Sequence, residues 1–97
     1  MTPENKVKAT IIRRLKALAQ AGEPIYWEKR HGGAMSVAGL PDFHVILNGL
    51  HSDIEIKAPG KRPTPLQVER MEQIRRAGGR AAWCDNVDDF MKFIQGE

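Results

Sequence analysis

Gly39-Leu40-Pro41-Asp42-Phe43-His44-Val45-Ile46-Leu47-Asn48-Gly49-Leu50-His51-Ser52-Asp53-Ile54-Glu55-Ile56-Lys57 carries most of the architectural information in this chain. Asn48-Gly49 between two apolar runs predicts a two-residue β-hairpin turn, because both turn positions need φ > 0. That turn pairs Leu47 with Leu50, and stepping back along both strands sets Asp42 opposite Glu55. Opposed side chains have Cβ atoms roughly 4.5–5.5 Å apart, and like charges there repel. A protein that keeps such a pair neutralises it with a proton or a cation. Lys57, two residues beyond Glu55, shares its face because strand side chains alternate. The other face then holds Phe43, Val45, Leu47, Leu50, Ser52, Ile54 and Ile56. A one-residue slip would bury the charged set instead, so the register is well specified.

Outward from the hairpin, the flanks read as helices and short strands. Thr2 to Ala21 is a helix with Thr2 as cap, Pro3 at the first position and Glu4 at the positive end of the dipole. Val7, Ile11, Leu15 and Leu18 form its apolar stripe, and Glu4, three residues before Val7, falls on that inward face. Pro24 to Arg30 reads as a strand through Ile25, Tyr26 and Trp27. His31 to Gly39 is a glycine-rich loop with no phosphate-loop pattern, so no nucleotide cofactor is expected. Ala58 to Pro63 is a loop, after which Thr64-Pro65-Leu66-Gln67 opens a helix with a capping box. Val68, Met71 and Ile74 are its expected buried stripe, and Gly78-Gly79 its stop. Ala81 to Cys84 is a short strand. A last helix, capped by Asp85 or Asn86, presents Val87, Phe90, Met91 and Ile94. The order α-β-β-β-α-β-α, with a parallel crossover from Ile54 to Cys84, makes an α/β fold with one mixed β-sheet flanked by helices.

At 97 residues the chain is expected to form a single domain, residues 1–97. A hydrophobic fraction of 41% and a charged fraction of 28% are ordinary for a globular protein. Cys84 is the only cysteine, which excludes a disulfide scaffold and a cysteine-rich zinc site. No apolar run suits a membrane span or a signal peptide, so a cytoplasmic protein is expected. The net charge of +3 is mild. The basic groups are placed more tellingly, with Lys57, Lys61 and Arg62 just after the carboxylates and Arg70, Arg75, Arg76 and Arg80 later. Such groups beside an acidic site suit a polyphosphate backbone, although each also fits a solvated surface.

Hard cations such as Mg²⁺ take oxygen ligands, often one or two carboxylates with water and phosphate. Asp42 and Glu55 supply two, the Ile56 backbone carbonyl a third oxygen, and Glu4 a further direct or water-mediated one. Lys57 would position a nucleophile or stabilise charge on phosphorus, and Gln67 would orient water or contact phosphate. Each has a plainer alternative. On that reading Asp42 only begins a turn after Pro41, Glu55 and Lys57 line a solvated strand face, Glu4 complements a dipole, and Gln67 completes a capping box. His44 and His51 lie on the carboxylate face, where a surface role is the commoner fate.

Pro41-Asp42 followed by Glu55-Ile56-Lys57 resembles the PD-(D/E)xK nuclease signature. With Glu4, Gly39-Leu40-Pro41-Asp42 and Gln67 after a Thr-Pro pair, the pattern resembles the VRR-NUC (virus-type replication-repair nuclease) family from Glu4 to about Ile94. The resemblance implies a restriction-endonuclease-like fold, Mg²⁺- or Mn²⁺-dependent DNA cleavage, and an active site of Glu4, Asp42, Glu55, Lys57 and Gln67. It further implies a stand-alone phage or bacterial type acting as a homodimer on branched DNA such as four-way junctions. Lys61, Arg62, Arg30 and His31 are candidate DNA contacts, and Met35, Val37 and Leu40 candidate dimer contacts. The alternatives are a nicking, flap-processing or restriction-type nuclease of the same fold, or a non-catalytic DNA-binding protein.

Overall fold

A computed structural model describes residues 1–30 and 37–97. The elements are α1 (Pro3–Gln20), β1 (Ile25–Lys29), β2 (Phe43–Leu47), β3 (Leu50–Ile56), α2 (Pro65–Arg76), β4 (Ala81–Cys84) and α3 (Val87–Ile94). This is the expected α-β-β-β-α-β-α order. The four strands form one mixed sheet in sequence order, with β1 and β2 antiparallel, β2 and β3 antiparallel, and β3 and β4 parallel.

The hairpin register is the expected one, with Leu47 opposite Leu50 and Phe43 opposite Ile54. Asn48 and Gly49 both have positive φ, 51° and 80°, as a primed turn demands. Phe43, Val45, Leu47, Ile54 and Ile56 are buried against Ile11 and Leu15 of α1 and Phe90, Met91 and Ile94 of α3. The Phe90 ring meets Phe43 edge-on at 5.6 Å, a favoured aromatic geometry. Ser52, polar but on this buried face, accepts a hydrogen bond from Arg80, whose guanidinium also donates to the Phe93 carbonyl near the end of α3.

Helix ends match their sequence signals. Thr2 caps α1, Asn86 caps α3, and Thr64 with Gln67 forms a complete capping box on α2. One expectation fails. Val68 is 42% exposed and Leu66 45%, so Met71 anchors α2, with Ile74 half-buried. The cause is position: α2 packs against β4 at one edge of the sheet, so only a narrow stripe of the helix meets protein. Among the described residues no helix is long and apolar enough to cross a membrane.

Candidate active site

The site forms where β2 begins and β3 ends, and the hairpin register places Asp42 one step beyond the Phe43–Ile54 pair, facing Glu55. Asp42 is locked there twice. Its Oδ2 accepts the Ile56 N–H at 2.7 Å, continuing the sheet with a side chain, and its backbone carbonyl accepts the Arg30 N–H at 2.7 Å. The Gly39-Leu40-Pro41 approach explains its glycine: φ is +80°, and a Cβ would lie 2.8 Å from Leu66 Cγ of α2. Leu66 and the glycine turn therefore fix each other.

Glu55 is 3% exposed and pairs across β3–β4 with Trp83. Burial pushes its carboxyl up to about 9, helped by its hydrogen bond to Asp42 and that residue's negative charge. Lys57 and Lys8 pull in the opposite direction but do not prevail. At neutral pH Glu55 therefore holds a proton and donates it to Asp42. The electrostatic conflict inferred from the hairpin is real, and without a cation a proton resolves it.

Lys57 extends β3, its N–H donating to the Cys84 carbonyl at 2.9 Å. Its Nζ lies 3.4 Å from Gln67 Oε1 and 3.9 Å from Glu4 Oε1. Gln67 Oε1 also accepts the Thr64 N–H at 2.9 Å, so one oxygen completes the helix cap and contacts the lysine. The capping role of Gln67 and its contact with Lys57 thus coexist. Glu4, 35% exposed in its side chain, lies between Lys57 and Lys8. The tertiary structure brings Glu4, Asp42, Glu55, Lys57 and Gln67 into one neighbourhood.

Three residues take roles that the sequence reading does not assign to them. Lys8 Nζ sits 3.0 Å from Glu4 Oε2 and 3.3 Å from Asp42 Oδ1. Its spacing of four from Glu4 is the available signal. Arg30, a candidate DNA contact, donates to the Pro41 carbonyl at 3.0 Å and to Asp53 Oδ1 at 3.0 Å. It clamps the backbone just before Asp42. Asp53 also meets His44 Nδ1 at 3.2 Å, a contact that their direct cross-strand pairing makes foreseeable. His44 and His51 share the carboxylate side of the hairpin with ring centroids 5.7 Å apart, but His44 is committed to Asp53.

The later arginines are likewise engaged. Arg70 donates to the Ala38 carbonyl, Arg75 to the Ala81 carbonyl, Arg76 pairs with Glu69, and Arg80 holds Ser52. Lys61 and Arg62 are exposed on the loop after β3. Cys84 is buried, its thiol pushed up to about 12 mainly by that burial, and offers no nucleophile. His31 and Met35 lie outside the described residues. Val37 and Leu40 are exposed at 55% and 39%.

Among the described residues, no three His, Cys, Asp or Glu side chains form a ready-made metal cage. The donor set is two adjoining carboxyls that cannot both ionise without a cation. That chemistry fits a hard divalent ion completed by water and phosphate better than an all-protein cage.

A mixed four-stranded sheet flanked by helices thus carries a carboxylate pair and a lysine at the end of its central hairpin. No family model matches the chain, and no curated protein matches it. Solved structures do. One, a "VRR_NUC domain", is 26% identical, with a TM-score of 0.74 over 99% of this chain and 98% of that one. Another, a "VRR_NUC domain protein", is 24% identical, with a TM-score of 0.76 over 98% of this chain and 87% of that one. The resemblance to the VRR-NUC family drawn from the motifs is therefore met by the fold across nearly the whole chain.

Proposed function

We propose that this chain is a divalent-metal-dependent deoxyribonuclease that hydrolyses phosphodiester bonds in branched or otherwise structured DNA. The observation that carries the reading is buried Glu55 sharing a proton with half-buried Asp42, with Lys57 close enough to act on Glu55. Asp42, Glu55 and the Ile56 carbonyl would hold Mg²⁺ or Mn²⁺, with Glu4 acting through water. Bound there, the ion would supply Lewis acidity toward the scissile phosphate and toward an attacking water.

The chain's own residues account for the remaining tasks. Lys57, with Gln67 Oε1 at 3.4 Å, is aimed by the start of α2 and supplies a fixed positive charge for the phosphorane-like transition state. Thr64 and Lys57 both contact Gln67 through its Oε1, which leaves the amide nitrogen for water or a phosphate oxygen. Lys61 and Arg62 provide exposed charge for the DNA backbone. Exposed Val37, Leu40 and Leu66 lie at or beside the Gly39 turn and support self-association beside the site. A two-fold dimer would present two such sites to a symmetric junction.

The test is Mn²⁺- or Mg²⁺-dependent cleavage of supercoiled plasmid, linear duplex, flap and four-way-junction DNA. The junction is expected to be cut fastest, with Asp42→Ala and Lys57→Ala each losing roughly 10²-fold or more. Cleavage that survives chelation would refute the metal dependence, cleavage that survives either substitution would refute this site, and no cleavage of any substrate by wild type would refute the nuclease reading. Preferential cutting of flaps or plasmid would replace the junction assignment by a flap-processing or nicking one.

A further inference from the structure

Lys8 has no part in the reaction as derived above, yet its ammonium lies in the acidic cluster. It is 3.0 Å from Glu4 and 3.3 Å from Asp42, two carboxylates assigned to the metal, and its side chain is 15% exposed. Lys57 already pairs with Glu4 from the opposite side. The second lysine therefore serves Asp42, whose Oδ1 has Lys8 as its ion-pair partner while Oδ2 is occupied by the Ile56 N–H. Helix α1 delivers Glu4 and Lys8 on one face, one turn apart, so a single helical turn carries both a proposed ligand and a cation beside it.

We propose that Lys8 is a tethered counter-cation of the metal-free site, which the divalent ion must displace to reach Asp42. The proposal rests on the metal-dependent reading. Its consequence is opposite in sign to that of a ligand or a supporting residue: removing Lys8 strengthens metal binding. The ion no longer has to break the contacts of Lys8 with Glu4 and Asp42, and no longer meets a positive charge beside its own. Two partly exposed ion pairs of ordinary strength correspond to about a tenfold gain in affinity. The cost falls on the metal-free protein, where Glu4 and Asp42 lose a neutralising partner.

The experiment is calorimetric titration of the full chain with MnCl₂, comparing wild type, Lys8→Met, Lys8→Arg and Asp42→Ala. The expected result is about tenfold tighter binding by Lys8→Met, near wild-type binding by Lys8→Arg, and none by Asp42→Ala. In chelator, Lys8→Met is expected to melt below wild type and to gain more from Mn²⁺. Equal or weaker Mn²⁺ binding by Lys8→Met overturns the proposal while leaving the metal reading intact. Absence of Mn²⁺ binding by wild type removes the metal reading itself. Mass-spectrometric lysine acylation of the wild-type protein gives a readout independent of any substitution. Labelling of Lys8 is expected to rise with Mn²⁺ relative to surface Lys16, and an unchanged or reduced ratio overturns displacement.

Discussion

Glu55→Gln separates the proton from the metal. In the native metal-free protein the Glu55 carboxyl holds its proton up to about 9, whereas its ordinary value is 4.5. An unfolded chain at pH 7 has already released that proton, so the unfolded state gains free energy that the folded state does not. Over the pH interval from 4.5 to 7 this amounts to about 3 kcal/mol against folding, at roughly 1.4 kcal/mol per unit. Because the native group binds the extra proton, stability falls as pH rises from about 4.5 to about 9. Glutamine keeps a donor toward Asp42 and has no proton to lose. Allowing for imperfect amide geometry, Glu55→Gln should be more stable than wild type in chelator at pH 7 by about 1–3 kcal/mol. For a domain of this size that is a melting-temperature rise of roughly 5–15 °C. At pH 5 the advantage should shrink below about 1 kcal/mol. Thermal unfolding of both proteins in chelator at pH 5, 6, 7 and 8 measures this. Calorimetry should show wild type releasing about one proton on binding Mn²⁺ near neutral pH, and the variant failing to bind. A wild-type melting temperature that stays flat across that range would refute the proton-sharing pair. A Glu55→Gln variant less stable than wild type at pH 7 would do the same.

Three further expectations concern the groups that hold the site in place. Arg30→Ala removes the hydrogen bonds to the Pro41 carbonyl and Asp53, costing about 1–3 kcal/mol in urea unfolding and weakening Mn²⁺ binding through a looser Asp42. Wild-type Mn²⁺ affinity in that variant would show that the clamp does not position Asp42. Gly39→Ala forces a side chain at φ +80° into Leu66 and should cost at least about 1 kcal/mol, read by melting temperature. Thr64→Ala should cost about 1 kcal/mol as an ordinary lost cap, while Gln67→Ala should depress DNA cleavage by more than its stability loss explains. Equal effects of the two substitutions on cleavage would leave Gln67 only its capping role.

Much of this architecture is written locally. The Asn48-Gly49 turn and the alternation on either side of it set the register, and the register alone carries Asp42 to Glu55. Thr2, Thr64 and Asn86 mark helix starts by chemistry that operates within one turn. Periodicity reaches further than packing allows in α2, where Val68 keeps the spacing of a buried residue but faces solvent. Spacing shows which residues share a helical face; only the neighbour across that face determines how wide the buried stripe becomes.

The sequence by itself determined the order of elements, the hairpin, and the carboxylate pair with Lys57, because each depends on residues close together along the chain. The tertiary structure decided which charges are free. It placed Lys8 of α1 against Asp42, set Arg30 against the Pro41 carbonyl and Asp53, and tied Arg70 to the Ala38 carbonyl and Arg80 to Ser52. A long cationic side chain reaches whichever carbonyl or carboxylate the fold delivers, and that delivery comes from segments distant in sequence. The proton on Glu55 belongs to the same class of outcome, since burial in the assembled fold, more than its neighbour's charge, puts it there.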